Sequence, residues 1–425
     1  MVLSMKNKRI IIIGAGPCGL GALWQLKKLG YTNIYLYEQS SHAGGVSSTH
    51  VDSKRFIWDS GGHVIGSKNK GFLKEIQKLY TDPLECHVRN AWVHMGRAMV
   101  PYPIQYHADG FTRKVHFLSP EISFYHWVIA SFGKKIAQSF FLPFNRKLWK
   151  YPLTKMSITW IQRKIPQHPK THTGNKWGAN ASFYYPSQGG IGSLWNKIAD
   201  GLRSYISFNK RVIAIDAKNH TLVLSDGSNT TYDVLLSTIP LPHLTKIIKG
   251  IAFPGVLVLP YVGVAVVGVG IRGTPPDGLK NCHWMYIPDS KIPYFRVSVY
   301  SNYGVGNAPQ GTWSLLFETT TDPKTKIDKE NFIKTTLAHA RLQGLIPNDS
   351  KIISTFFHHE PFGYPTPVIG RDTILSKISM LLEKSDIFSL GRFGSWKYEE
   401  GNMDDVWMQG VAWAKKRRRF SDIII

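Results

Sequence analysis

Four consecutive isoleucines, Ile10–Ile13, open the first regular pattern in the chain. An unbroken β-branched run predicts a strand buried on both faces, because a half-exposed strand would alternate with polar residues. The run stops at Gly14. Beyond a glycine-rich turn, Ala22, Leu26 and Leu29 recur at helical spacing with Leu23 beside them. Gly30 suits the C-terminal end of that helix, where a left-handed backbone is common. Ile34–Tyr37 predicts a second apolar strand, ended by Glu38.

Further on, Phe56-Ile57-Trp58-Asp59-Ser60 reads as a strand running into Gly61-Gly62-His63. From about 101 to 186 aromatic residues are dense: Phe124, Tyr125, Trp127, Phe132, Phe140, Phe141, Phe144, Trp149 and Trp160. Helical spacing through 122–141 predicts a mostly helical insertion, in which most of these rings are core. The stretch Trp177-Gly178-Ala179-Asn180 is polar and contains glycine, and suits a mobile lid. Gly189-Gly190-Ile191-Gly192 opens a helix through Leu202. Strands are predicted at 211–216, 221–224 and 232–238, with Asp226-Gly227 as a turn and Ile239-Pro240 ending the last of them. From 257 to 317 short β-type runs alternate with Gly/Pro turns and predict an antiparallel sheet. A helix over 328–344, a buried strand over 387–390 and a helix over 403–416 complete the pattern.

The fold expected is α/β. Residues 1–90, 186–248 and 352–425 form a discontinuous Rossmann-like domain. Into it are inserted a helical unit, 91–185, and an antiparallel β-sheet unit, 249–351.

The first turn carries the clearest chemistry. It reads Gly14-Ala15-Gly16-Pro17-Cys18-Gly19, and Glu38 stands nineteen residues past Gly19. Strand, GxGxxG, helix, strand and acid together form a dinucleotide fingerprint. Gly14 allows the tight turn, Gly16 lets the backbone approach a pyrophosphate, and Gly19 lets helix and strand close up. The helix N-terminus offers unpaired N–H donors to the anion, and Glu38 can accept from a ribose diol. Gly44-Gly45 follows soon after the acid and implies a second close backbone approach. This pair of segments resembles a large class of FAD proteins that includes amine oxidases and sugar-nucleotide mutases, so FAD is the cofactor expected. Gly61, Gly62 and His63, then Val212, then Gly391, Arg392, Asn402 and Met403 join Gly14, Gly16, Pro17, Gly19, Glu38, Gly44 and Gly45 in the expected cofactor set.

Charge adds one constraint. The 425 residues carry a net charge of +24, which favours anionic partners. The basic residues are scattered except for Lys415–Arg419, which reads as a solvated terminal segment. No stretch resembles a DNA- or RNA-binding module, so no nucleic-acid partner is expected. Three separated cysteines, Cys18, Cys86 and Cys282, make neither a disulfide framework nor a metal site. The basic stretch and four apolar residues before Gly14 are too short for a signal peptide, and none is expected. The apolar stretch 256–271 holds Pro260 and several glycines, and reads as strands rather than a membrane span. A cytoplasmic protein without a membrane span is expected, with homo-oligomerisation left open.

The segment Gly391-Arg392-Phe393-Gly394-Ser395-Trp396-Lys397-Tyr398-Glu399-Glu400-Gly401-Asn402-Met403-Asp404 closely resembles the UDP-galactopyranose mutase family, particularly its eukaryotic-type branch. Pro101–Gln105, Phe144–Trp149, Trp177–Ala181, Ser301–Tyr303 and Gly363–Pro367 resemble it too. The resemblance implies interconversion of UDP-galactopyranose and UDP-galactofuranose through an adduct between reduced flavin N5 and the sugar, with NADPH or NADH as electron donor. It implies that Arg296 clamps the diphosphate. The second clamp falls at Lys164, with Arg163 one residue before it, and lysine lacks the planar fork of arginine. It further implies that Tyr286, Tyr364 and Tyr398 contact the diphosphate, with Asn402 near the phosphates. Gln105, Phe140, Asn145 and Trp149 match the uridine side, and Asn180 joins the substrate-binding set. His63 is implied at the flavin N5 through its backbone, and Arg392 facing the flavin.

The alternating stretch Ile292–Val299 predicts a strand on which Arg296 shares a face with Tyr294 and Ser298. Three alternatives remain. A flavin amine oxidase or desaturase relative would remove a hydride on the same FAD frame and would not need the diphosphate residues. A mutase of another UDP-sugar would keep the same clamp. A non-enzymatic nucleic-acid binder is motivated by charge alone.

Overall fold

A computed structural model describes residues 7–96, 98–106, 122–165, 180–255 and 259–419. Ile10–Ile13 is the central strand of a five-stranded sheet. The order across it is Ile387–Ser389, Val234–Ser237, Ile10–Ile13, Ile34–Tyr37 and Ile206–Ser207. Every adjacent pair is parallel. The four isoleucines divide between two cores, as strand alternation requires. Ile10 and Ile12 pack with Leu23, Trp195 and Trp407, whereas Ile11 and Ile13 pack with Leu235, Leu244 and Ile387. Burial of each such side chain is worth about 1.5–3 kcal/mol. The isoleucine run therefore fixes which element lies in the middle.

Helix Pro17–Lys28 follows the central strand, and Gly30 adopts φ +82° just beyond its end. Helix Met403–Arg419 packs against it. At that helix's end Lys415 and Lys416 are exposed, while Arg417 lies over the Phe388 ring at 4.0 Å. Helix Lys329–Leu342 begins where expected, with the Asp328 carboxylate accepting from the N–H groups of Glu330 and Asn331.

The second large sheet has seven strands. Their order is Ile352–Pro365, Tyr261–Arg272, Thr312–Thr321, Arg296–Val299, Trp284–Tyr286, Ala91–Met95 and Ala98–Pro101. Its pairs are antiparallel except one, where Trp284–Tyr286 runs parallel to Ala91–Met95. The sheet thus draws strands from both sides of 249–351. The reason lies in Tyr261–Arg272, whose interior is buried throughout. Such a strand needs a partner on each edge for its backbone polar groups. Thr312–Thr321 supplies one edge and Ile352–Pro365 the other.

The hairpin of Thr49–Val51 and Ile57–Asp59 lies on this sheet. Trp58 stacks on Phe356 at 5.9 Å. A Cβ on Gly268 would come within 2.5 Å of the Trp58 ring, and one on Gly270 within 2.5 Å of the Phe56 ring. The two glycines form a notch in the sheet that receives the two aromatic rings.

The stretch 122–141, where helical spacing predicts a mostly helical insertion, is helical but not one continuous α-helix. Helix Phe124–Ile136 kinks at Gly133 (φ +74°, ψ +163°), and Ala137–Phe141 form a π-helical turn before helix Leu142–Trp149. A π turn adds one residue per turn and rotates the following side chains, an arrangement frequent at functional sites. Phe124, Trp127, Phe132, Phe140, Phe141, Trp149 and Trp160 all lie in one buried cluster, the core role expected for most of them. Trp177–Ala179 lie outside the described residues.

Candidate active site

The first glycine loop is shaped by contacts that leave no room for side chains. A Cβ on Gly14 (φ +101°) would meet Thr238 Oγ1 at 2.3 Å, and one on Gly19 would meet the Gly14 carbonyl oxygen at 2.0 Å. Helix Pro17–Lys28 starts at Gly16 without a side-chain cap and without an acid in its first turn. Its opening N–H groups are therefore oriented to receive an anion. Glu38 is buried, accepting from Ala15 N–H at 2.7 Å and Ser40 N–H at 2.8 Å. Gly44 N–H donates to Ala15 O at 2.9 Å, and a Cβ on Gly45 would lie 3.6 Å from Gly16 Cα. Two segments nearly thirty residues apart, Gly14–Gly19 and Gly44-Gly45, are thus one cradle. Val212 is buried in strand Val212–Asp216, two residues past Lys210, whose N–H donates to Glu38 O at 2.8 Å.

The second glycine turn follows a fully buried carboxylate. Asp59 accepts from Tyr185 OH at 2.8 Å and Ile191 N–H at 3.2 Å, and from Thr49 Oγ1. Tyr185 and Tyr300 share a hydrogen bond of 2.5 Å. Burial pushes the Asp59 carboxyl up to about 6 despite these donors. The network fixes the chain immediately before Gly61-Gly62-His63. Burial drives the His63 imidazole down to about 4, helped by Arg392 and Arg296 and opposed by Glu318. It is therefore neutral, and its Nδ1 has no hydrogen-bond partner among the described residues. A Cβ on Gly62 would touch Glu318 Oε2 at 3.0 Å and Arg296 Nη2 at 3.1 Å, so this turn lies directly on that ion pair.

Beside the turn opens a narrow cleft of about 140 Å3. Phe140 and Asn145 come from the helical insertion, Lys164 from the short helix Ile161–Lys164, and Tyr286 and Arg296 from the seven-stranded sheet. Tyr364 stands at the end of strand Ile352–Pro365, and Tyr398 in the turn Tyr398–Glu400. The cationic groups outnumber the anionic ones. Arg296 is bound by Glu318, but among the described residues Arg392 donates only to the carbonyls of Gly401 (3.0 Å) and Gly363 (3.4 Å). Burial depresses the Arg392 guanidinium, and Arg296 adds to the effect. Lys164 Nζ donates to Asn402 Oδ1 at 2.5 Å and lies 5.2 Å from the Tyr398 ring. Burial together with Arg392 lowers its ammonium to about 8. Like charges drawn together around tyrosine hydroxyls favour an anion at their centre.

Several expected residues take other places. Arg163 is turned outward, 54% exposed and 3.5 Å from Asp405, so Lys164 is the member of the pair that lines the cleft. Trp149 backs the cleft rather than lining it, donating to Asn145 Oδ1 at 3.0 Å and meeting Tyr398 edge-on at 4.9 Å. The Asn145 amide is engaged within its own helix, donating to Phe141 O at 2.8 Å. Gln105 is buried and stands apart from the lining, and the Asn180 side chain packs over Gly66. Tyr294 does not share a face with Arg296. Phe295 and Arg296 both line the cleft, so alternation breaks there, and Tyr294 packs on the other side of the sheet against Phe317 at 4.8 Å. Ser298 does lie on the Arg296 side, 3.2 Å from a Cβ placed on Gly62.

Residues not anticipated include Tyr102, Phe144, Leu148 and Trp160 in the lining, and Glu318 beneath it. Glu318 had a signal: it is a lone carboxylate inside the buried strand Thr312–Thr321, and a buried charge requires a partner.

Among the described residues no group of His, Cys, Asp or Glu could hold a metal ion, and no helix is long and apolar enough to cross a membrane. Cys18, Cys86 and Cys282 are free thiols.

Comparison with known proteins adds a family. Residues 17–415 match the model for flavin containing amine oxidoreductases. A crystal structure of reduced UDP-galactopyranose mutase is 32% identical and superposes with a TM-score of 0.89, over 97% of this chain and 94% of that one. A putative protoporphyrinogen oxidase from Exiguobacterium is 13% identical, with a TM-score of 0.74 over 96% of this chain and 98% of the other. A putrescine oxidase bound to putrescine is 14% identical, with a TM-score of 0.69 over 97% and 99%. The last two share the fold.

Proposed function

The chain belongs to the flavin containing amine oxidoreductase family, and within it to the UDP-galactopyranose mutase group; on that premise we propose that it interconverts UDP-galactopyranose and UDP-galactofuranose. The observation that carries the reading is the cleft itself. Arg296, Arg392 and Lys164 converge with Tyr286, Tyr364 and Tyr398 beside the Gly61–His63 turn. An amine substrate would be cationic and would meet three cations; a nucleotide diphosphate meets complementary charge.

FAD fits the loops on the strength of the side-chain-free cradle at Gly14, Gly19 and Gly44-Gly45. Gly14–Gly19 would receive its pyrophosphate and Glu38 its ribose, with Arg392, Asn402 and Met403 at the far end. When reduced, the flavin supplies the nucleophile for a ring contraction without net redox change. The chain's own residues do the rest. Arg296 and Lys164 hold the charge of the departing diphosphate. The tyrosines donate hydrogen bonds to it. The rings of Phe140, Phe144 and Tyr102 cover the uridine side and exclude water. The neutral His63 adds no charge of its own beside the reacting centre. NADPH or NADH is the electron donor proposed, and the cytoplasm the location.

The test is anaerobic incubation of the dithionite-reduced protein with UDP-galactofuranose, followed by chromatography. Accumulation of UDP-galactopyranose without loss of reductant is expected. A different UDP-sugar turned over under the same conditions would reassign the substrate. Stoichiometric oxidation of NAD(P)H with sugar conversion would move the protein to the oxidoreductases.

A further inference from the structure

Arg371 and Glu399 form an ion pair away from solvent, with side chains 1% and 9% exposed. Arg371 Nη2 donates to Glu399 Oε1 at 2.5 Å and Nη1 to Oε2 at 3.1 Å, a two-pronged contact. Its Nε donates to Asp372 Oδ1 at 2.9 Å. Burial by itself would depress this guanidinium, and the bonds to Glu399 and Asp372 reverse the effect. Nothing in the chemistry outlined above uses this pair.

The two partners sit on segments that meet at the cleft. Glu399 directly follows Tyr398 in the turn Tyr398–Glu400. Arg371 opens helix Arg371–Glu383, seven residues beyond Tyr364. The linker between Tyr364 and Arg371 is tied to the helical insertion: Ser157 N–H donates to Pro367 O at 2.8 Å, and Ile369 N–H to Lys155 O at 3.1 Å. The segment carrying Trp160 and Lys164 therefore hangs from the same joint. Around it the Tyr398 ring lies 5.7 Å from Tyr364 and 5.7 Å from Trp160.

A buried ion pair is a costly way to gain stability, since apolar residues of similar volume often serve as well. A guanidinium fork on a carboxylate does something an apolar contact does not: it fixes both distance and plane. We propose that the Arg371–Glu399 pair is a positioning device, holding Tyr398 in register with Tyr364 and with the Lys164 segment so that the anion-binding wall is set before the ligand arrives. The proposal rests on the reading of the cleft as a diphosphate site.

The test uses the FAD-loaded full chain and two variants. Arg371→Lys keeps the charge and loses the fork. The double variant Arg371→Met with Glu399→Met removes both buried charges and leaves none stranded. Hydrogen exchange of the ligand-free protein is followed over 398–402 and 155–165, FAD content is measured from absorbance, and UDP is titrated by fluorescence. Both variants should retain FAD, exchange faster in both segments and bind UDP about tenfold more weakly. Unchanged protection, or UDP affinity within about twofold of the parent chain, overturns the proposal. Failure of the parent chain to bind UDP would instead sink the diphosphate reading, while the exchange measured without ligand still decides whether the pair positions Tyr398.

Discussion

Arg296 and Glu318 are direct cross-strand partners, paired in register between Arg296–Val299 and Thr312–Thr321. Glu318 takes the Nε edge of the guanidinium and accepts from Nη2 at 2.7 Å. Two strand backbones and a carboxylate thus fix the plane of the arginine. Burial opposes the charge, and Glu318 more than restores it, keeping Arg296 protonated.

Arg296→Ala should leave FAD binding intact and weaken UDP binding at least about tenfold, because charge-assisted bonds to phosphate are worth roughly 1.5–3 kcal/mol each. Arg296→Lys should recover part of that loss, restoring the charge without the fork. Glu318→Gln should weaken UDP binding less than Arg296→Ala, since the arginine remains but loses its rigid seat. Titration of UDP against each purified variant checks the order. Equal UDP affinity in Arg296→Ala and the parent chain would remove the clamp.

UDP affinity should fall as pH rises through about 8. Lys164 is the reason: its ammonium is lowered to about 8, mainly by burial. The protonated form binds the anion, so the full contribution is present below that value and disappears above it. Titrations from about pH 7 to about pH 9.5 should show the decline in the parent chain and a flat profile in Lys164→Ala. Lys164→Arg should extend tight binding to higher pH. The same decline persisting in Lys164→Ala would assign it to another group.

Arg163→Ala should change UDP affinity by no more than about twofold. Its exposed contact with Asp405 belongs to a class of surface pairs worth about 0–1 kcal/mol. Measured beside Lys164→Ala, it separates the two neighbours cleanly.

Glu38→Ala should release FAD. The carboxylate holds both Ala15 and Ser40 N–H groups, so its loss loosens the cradle as well as the ribose contact. Acid-released flavin per mole of protein is the measurement, and full retention would detach Glu38 from the cofactor.

The nucleotide half of the molecule was legible because its parts are local. Ile10–Ile13, Gly14–Gly19 and Glu38 stand in order along one stretch of chain, and each has a signature in residue type. The cleft is different. Tyr102, Phe140, Lys164, Arg296, Tyr364 and Tyr398 come from six segments, and only resemblance brought most of them together. Glu318 was passed over because its partner lies across a strand pair, and register is not written in either strand alone. The expected face for Tyr294 failed where Phe295 and Arg296 turn to the same side. The sheet boundaries moved because the needs of Tyr261–Arg272 are met by distant segments.

Gly268 and Gly270 work like the bittings of a lock. With Phe56 and Trp58 seated in them, the hairpin that leads to the Gly61–Gly62 turn cannot slip along the sheet by even one residue. The Gly61–Gly62 loop and the Arg296 strand are therefore packed as one unit. Across the cleft stands the helical segment with its break at Gly133. Hydrogen exchange across that segment should slow on addition of UDP, while the keyed hairpin, already held shut, changes little.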